Sequence, residues 1–275
     1  MNPLSPYRGT IQYIYGNWPA YLLTYLWIVS AVFLMGISLQ QGWLGFIPLT
    51  LAALLITVYF FLASLWSAHQ QFDPGGLRPH HMLFNMGRIH PDETIAVIDL
   101  GLRTQAIELA RRLLTGQVMV IDVYNPQWTT SRALVRWRSR LPEPPDDPRL
   151  TWHVGEFGLL PLPDQSVTAV ILCQVLSEFW QEGDRLRLIQ EAYRILKPNG
   201  RLLLAERTRT GTNWLISGPL TLQLPTDQYW RDLITKAGFH LRTERDLQGV
   251  LHCYHAEKLT PEQARQLALE LPFEG

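Results

Sequence analysis

Between Arg8 and Asp73 the chain has no aspartate, glutamate, lysine or arginine, a run of 64 residues without a formal charge in which His69 is the one histidine. Within this run, residues 18–39 and 43–66 are predominantly apolar. At about 1.5 Å per residue, each is long enough as a helix to cross a hydrocarbon core of about 30 Å. The link Gln40-Gln41-Gly42 is so short that the two helices must run antiparallel, leaving the N-terminus and everything after Asp73 on one side. Tyr13, Tyr15 and Trp18 stand at one end with Trp66, and Trp43 stands at the turn, where interfacial aromatics belong. Arg8, Arg78 and Arg88 flank the hairpin while its turn has no basic residue, so the positive-inside rule places both ends in the cytoplasm. A cleaved signal peptide is opposed by the length of the first apolar run and the lack of a small-x-small cleavage site after it. A hairpin buried inside a soluble fold would need an unusually large domain to cover it. Neither span carries an ionisable carboxylate, lysine or arginine, which argues for anchoring or lipid-facing access rather than an ion or proton pathway.

The rest of the chain has a different character. Of the 48 Lys, Arg, Asp and Glu residues, 47 lie from Asp73 onward, the ordinary density of a water-soluble domain. The formal net charge is zero, which gives no basic excess for a nucleic-acid partner. Cys173 and Cys253 fall in strand-like apolar stretches without paired or metal-ligand spacing, and read as small core residues. The expected organisation is an N-terminal segment with a transmembrane hairpin (1–72), a juxtamembrane connector (73–88), an α/β domain (89–258) and a C-terminal helical tail (259–275).

From residue 94 the pattern alternates. Residues 94–100, 118–123, 150–154, 168–173 and 201–205 are short runs rich in β-branched and aliphatic side chains, as buried parallel strands are. Between them, 104–114, 128–141 and 185–196 have helical character, and 229–237 follows the fifth run. Residues 239–243 and 250–256 suit a final pair of hairpin-like strands. This alternation predicts an α/β fold with a doubly wound, Rossmann-like sheet preceded by two transmembrane α-helices. In such sheets ligands bind outside the carboxyl ends of the strands, which singles out residues 99–105, Asp122, Glu156, residues 173–176 and Glu206. Asp122, 21 residues past Gly101, ends the second strand, where a carboxylate can accept both hydroxyls of a ribose.

Five segments in order resemble the class I S-adenosylmethionine-dependent methyltransferases, in particular the branch acting on small molecules, quinones and lipids. They are Val97-Ile98-Asp99-Leu100-Gly101, Val120-Ile121-Asp122, Gly155-Glu156 with residues 160–167, residues 191–204 around Lys197-Pro198-Asn199-Gly200, and residues 230–239. The resemblance implies S-adenosylmethionine as cofactor, with Asp99 and Gly101 shaping its loop, Asp122 holding the ribose and Glu156 meeting the adenine amino group. The loop reads Gly101-Leu102-Arg103-Thr104-Gln105 and keeps only the first glycine of the family's Gly-x-Gly-x-Gly pattern. Arg103 either pairs with the cofactor's carboxylate, points to solvent or plugs the site. A second departure, likewise expected to lie near the cofactor, is Thr168, where the family's fourth strand usually begins with an aspartate.

The resemblance and the hairpin together imply methyl transfer to a hydrophobic, lipid-like or quinone-like acceptor at the membrane. A domain that has lost its cofactor and acts as a membrane-tethered binding or scaffold module is the alternative. A nicotinamide-dependent oxidoreductase is opposed by the lack of Gly-x-Gly-x-x-Gly after the first strand. His153, His240, His252 and His255 are the imidazoles of the α/β domain, and no spacing elects one as a base. His80-His81 reads as interfacial rather than as a metal site.

Overall fold

The computed structural model describes residues 5–129, 131–141, 143–260 and 262–263, so residues 264–275 of the expected helical tail lie outside the described residues. Two compact units emerge, and they do not follow chain order. One combines the chain up to Arg78 with Arg132–Arg140 and Thr210–Gln223, and the other holds the remainder.

In the first unit, α1 (Arg8–Gly16) leads into α2 (Trp18–Gln40), and a short 3-10 turn precedes α3 (Ile47–Phe72). Both long helices carry proline in their first turn, where its missing N–H costs nothing. The second apolar helix runs past Trp66 to Phe72, because nothing breaks it before Asp73, which turns extended ahead of Pro74. Both helices are long and apolar enough to cross a membrane, and their apolar windows are 11% and 0% buried. Leu23, Phe33, Leu49 and Leu55 accordingly stand exposed.

The base of the hairpin is stapled by Asp73. Its carboxylate, buried at 3% exposure, accepts from the Thr10 N–H at 3.0 Å, the Thr10 hydroxyl and His69 Nδ1 at 2.9 Å. Tyr13 stacks on Phe72 at 5.5 Å. Gly9 permits this approach, since a Cβ there would stand 2.2 Å from the Phe72 carbonyl oxygen. Gly9→Val is expected to cost about 1–3 kcal/mol by forcing α1 away from α3, measured as a lower unfolding midpoint in detergent.

Two short helices distant in sequence complete this unit. The first is α6 (Arg132–Arg138), shorter than the predicted 128–141 because Asn125–Thr129 is occupied by a turn in which the Thr129 hydroxyl donates to the Asn125 carbonyl at 2.6 Å. The second is α8 (Gly211–Ser217), capped by Thr210, whose hydroxyl accepts from the Asn213 N–H. It continues into a 3-10 segment over Gly218–Gln223, and Gly218 meets the ring of Phe60 on α3. Trp214, Leu215, Leu220 and Leu222 remain exposed on this segment.

The second unit is a seven-stranded sheet in the order β3-β2-β1-β4-β5-β7-β6. Its strands are β1 (Thr94–Asp99), β2 (Gln117–Asp122), β3 (Leu150–Val154), β4 (Val167–Cys173), β5 (Leu196–Glu206), β6 (His240–Leu247) and β7 (Leu251–Glu257). The first five are parallel, and β7 adds antiparallel to β5 and pairs with β6 as the predicted hairpin. The fifth strand starts at Leu196 rather than 201, since Leu196 already pairs with Val167. Helices α4 (Pro79–Met86), α5 (Thr104–Ala110), α7 (Glu182–Ile195) and α9 (Asp227–Lys236) belong to this unit. The aliphatic runs become its core: Ile95, Val118, Ala169 and Leu203 are fully buried, as central parallel strands covered on both faces require.

Candidate active site

The strand order reverses beside β1, which has β2 on one side and β4 on the other. Ligand crevices of doubly wound sheets open at such a switch point, outside the carboxyl ends of the strands. The residues ending β1 here are therefore the centre of the candidate site.

Asp99 ends β1 and organises the loop after it. Its carboxylate accepts the Leu100 N–H at 2.6 Å, the Leu102 N–H at 3.2 Å and the Arg103 N–H at 2.5 Å. Burial pushes its carboxyl up, the three N–H groups pull it down, and the neighbouring Asp122 charge adds to the rise. Gly101 has φ of 78° and Arg103 has φ of 63°. Arg103 thus holds a glycine-like conformation without being glycine, which costs about 1 kcal/mol. Its guanidinium lies 6.0 Å from the centroid of the Trp152 ring on β3, so the side chain is drawn toward the neighbouring strands. Burial pushes the Cys173 thiol at the end of β4 well up, and the nearby Gln105 side chain opposes that rise.

Asp122 ends β2 directly opposite Asp99 in the parallel register. Its Oδ1 accepts the Tyr124 N–H at 3.0 Å. Glu156 follows β3 in a tight turn closed by the Leu159 N–H to the Glu156 carbonyl, and its side chain is exposed. Gly155 before it is required by close packing, as a Cβ would meet Pro161 at 2.8 Å and Ile121 at 2.9 Å. Asp99, Gly101, Arg103, Asp122 and Glu156 therefore all lie at the carboxyl ends of β1, β2 and β3. Carboxylates able to accept from hydroxyls and an amine, beside a backbone turn opened by glycine, suit an adenosine-bearing cofactor.

Sequence reasoning did not find the aromatic surroundings. Trp152 lies beside Arg103, and Phe157 is buried between Trp128 at 5.4 Å and Phe179 at 5.7 Å. Strand periodicity places Trp152 on β3 but is silent on what reaches it from another loop. Glu206, which ends β5, is fully buried, with Oε1 accepting the Leu176 N–H at 2.7 Å. Burial pushes its carboxyl up to about 7, against the pull of that N–H. Cys173 and Cys253 are buried and free, and burial holds the Cys253 thiol up at about 12.

The structure corrects the weight placed on Thr168. Thr168 lies at the amino end of β4, so it is at the opposite edge of the sheet from the cofactor loop. There its hydroxyl donates to the Glu93 carboxylate and the Thr94 carbonyl, and Glu93 also pairs with Arg201. This substitution is part of a polar tie at the closed edge.

His80 and His81 both meet Glu108 Oε2, at 2.7 and 3.3 Å, and the three side chains are near enough to share a metal ion. The shorter distance is a hydrogen bond, and Arg112 stands 3.5 Å from His81 Nδ1, where its charge opposes a cation. Among the other imidazoles, His240, His252 and His255 lie on the antiparallel β6–β7 pair, and His252 is held by Glu244 at 3.1 Å.

Residues 99–204 match the family described as "Methyltransferase domain". Over these residues the chain is similar to a methyltransferase domain. The match runs from the aspartate that ends β1 into the fifth strand, so it contains Asp99, Gly101, Arg103, Asp122 and Glu156. A Mycolicibacterium smegmatis protein named "Probable S-adenosylmethionine-dependent methyltransferase" is 31% identical over 109 residues, 38% of this chain and 40% of that protein. The "Ubiquinone/menaquinone biosynthesis C-methyltransferase UbiE" of Dinoroseobacter shibae is 26% identical over 197 residues, 71% of this chain and 72% of that protein. The chain thus spans about two fifths of the first relative and nearly three quarters of the second. Among solved structures, a SAM-dependent methyltransferase from Aquifex aeolicus superposes with a TM-score of 0.54 at 17% identity, covering 68% of this chain and 94% of that one. At that identity the likeness concerns the fold.

Proposed function

We propose that this protein is a membrane-anchored methyltransferase that transfers the methyl group of S-adenosylmethionine to a hydrophobic, lipid-like or quinone-like acceptor, with its catalytic domain on the cytoplasmic side. The observation that carries the anchoring is the hairpin: two apolar spans, Trp18–Gln40 of 23 residues and Leu44–Phe72 of 29 with its leading 3-10 turn, whose apolar windows are almost wholly unburied. Burying that surface in lipid removes an apolar exposure that water would not tolerate. A domain held at the bilayer meets membrane-dissolved acceptors at high effective concentration. The quinone C-methyltransferase similarity supports an acceptor of this class.

In this reading Asp99 and Gly101 set the backbone of the cofactor loop, Asp122 accepts the two ribose hydroxyls, and Glu156 accepts from the adenine amino group. The cofactor supplies an electrophilic methyl on a sulfonium. The chain's part is to orient acceptor and methyl in line and to exclude water, which is where most of the acceleration of such transfers arises. Calorimetric titration of S-adenosylhomocysteine into the full-length protein in detergent tests the cofactor reading. Micromolar binding is expected, and a folded protein that gives no heat would favour the non-catalytic scaffold. The full chain is used because α6 and α8 belong to the same unit as the hairpin, so a truncation at Asp73 would strip them of their partners.

The loop itself gives the scaffold alternative its one specific support, since Arg103 and Gln105 stand where the family has glycine. Replacing both, as Arg103→Gly with Gln105→Gly, is expected to tighten S-adenosylhomocysteine binding by about 3- to 10-fold, because it relieves the φ strain and the bulk. Weaker binding in the same titration would instead make Arg103 a ligand of the cofactor's carboxylate.

A further inference from the structure

We propose that the cleft between α1 and α6 is a binding site for the phosphate of an anionic phospholipid headgroup. The cleft has a volume of about 330 Å³. Its α1 wall is Arg8, Ile11, Gln12 and Tyr15, spaced i, i+3, i+4 and i+7 so that they share one helical face. Its other wall is Arg136, Trp137 and Arg140. The walls are locked together. Arg136 Nε donates to the Gly16 carbonyl at 2.6 Å, Trp137 Nε1 donates to Gln12 Oε1 at 3.3 Å, and the Arg140 guanidinium lies 4.6 Å from the centroid of the Tyr15 ring. Gly16 lets the helices close to this distance, because a Cβ there would already stand 3.1 Å from the Ala133 carbonyl oxygen.

Charge points to an anion. The zero net charge of the chain conceals a segregation: the hairpin unit contains six arginines and one aspartate, a net charge of +5. That aspartate is Asp73, and its oxygens are taken by Thr10 and His69. Among the described residues no carboxylate pairs with Arg8, Arg136 or Arg140, so three guanidinium groups line one cleft without a counter-charge. Guanidinium groups match phosphate oxygens two at a time, which a single lysine-like point charge does not.

Position selects a lipid as the source of that phosphate. The helix α1 ends one residue before the first apolar span and packs against the last turn of the second, through Tyr13 and Asp73. Phe72, the final residue of that span, meets Trp137 edge-to-face at 5.0 Å. The cleft therefore lies at the base of the hairpin, with Tyr15 and Trp137 at the level where aromatic side chains meet headgroups. Basic pockets beside membrane helices on the cytoplasmic side are suited to anionic headgroups, and each nearby arginine strengthens the attraction. A lipid held there would tie α6 to the bilayer. The inference rests on the membrane reading of the hairpin.

The test uses full-length protein in dodecyl maltoside, titrated with dioleoylphosphatidylglycerol, dioleoylphosphatidylcholine or inorganic phosphate, with bound lipid read by native mass spectrometry. Phosphatidylglycerol is expected to bind at least about tenfold more tightly than phosphatidylcholine. The double variant Arg8→Gln with Arg140→Gln, both exposed, is expected to lose roughly 30-fold for the former with circular dichroism unchanged. Equal affinity for the two lipids, or an unchanged double variant, would overturn the proposal. Inorganic phosphate that binds alone with the same dependence on the arginines, and displaces the lipid, would assign the cleft to a free anion and also overturn it. Alkaline carbonate washing of membranes reads the hairpin separately. Retention in the pellet with no lipid selectivity defeats the headgroup site alone, whereas release into the supernatant defeats the membrane reading itself.

Discussion

Replacing Asp122 by alanine is expected to weaken S-adenosylhomocysteine binding by about 30- to 1,000-fold while leaving the unfolding midpoint nearly unchanged. The expectation follows from geometry and charge. Asp122 ends β2, is held by the Tyr124 N–H, and faces the strand end where Asp99 fixes the cofactor loop. Two charge-assisted bonds from ribose hydroxyls to one carboxylate are worth about 2–4 kcal/mol together, which is the stated range of affinity. The asymmetry with Asp99 is part of the prediction. Asp99 accepts three backbone N–H groups of its own loop, so Asp99→Ala leaves those donors without an acceptor and lowers both affinity and stability. Calorimetry and thermal unfolding on the same samples separate the two. Wild-type affinity in Asp122→Ala would remove Asp122 from the site, and with it the ribose contact of the proposed cofactor pose.

Glu206→Gln is expected to stabilise the protein by about 3 kcal/mol at pH 8 and by almost nothing at pH 4. Glu206 is fully buried and its Oε2 has no hydrogen-bond partner among the described residues. Burial raises its carboxyl from an ordinary 4.5 to about 7, against the pull of the Leu176 N–H, the Ser177 side chain and the Arg185 charge. Between those two values the folded protein holds a proton that the unfolded chain has released. Stability from this group is therefore intact below about 4.5, falls as pH rises through the interval, and is lost above about 7. A rise of that size corresponds to about 3 kcal/mol. Glutamine keeps an oxygen for the Leu176 N–H and never ionises, so the variant should flatten the alkaline side of the stability profile. Denaturant unfolding of both proteins from pH 4 to pH 8 reads this directly. Parallel profiles would show that the carboxylate is stabilised by something its surroundings do not display.

Much of the fold was legible because the signals are local. A 64-residue stretch without charge allows few soluble solutions, and the aliphatic runs ending in Asp99, Asp122 and Cys173 announce buried parallel strands. The edges were less legible. The predicted helix over 128–141 shortened to Arg132–Arg138 once a hydroxyl of Thr129 found the Asn125 carbonyl. The fifth strand gained Leu196, which pairs with Val167, while Lys197-Pro198-Asn199-Gly200 keep their turn character as an irregularity before Arg201 resumes pairing opposite Ala169. Thr168, expected beside the cofactor, lies at the other edge because it begins rather than ends β4. The candidate site itself was found by rule: strand ends of a doubly wound sheet, with acidic residues upon them. The orientation of Arg103 over Trp152 was not, since it depends on a loop conformation that sequence assigns to glycine.

The sequence by itself determined an apolar hairpin, an alternating α/β sheet and the acidic residues at its carboxyl edge, because each depends on the character of residues within a few positions of one another. Only the tertiary structure decided that Arg136 bonds the Gly16 carbonyl across 120 residues, and that α6 and α8 join the hairpin rather than the segments beside them in the chain. It alone showed that a neutral chain gathers six arginines and one aspartate into the hairpin unit. Charge and packing between distant segments are set by where the backbone returns, and no local periodicity records that return.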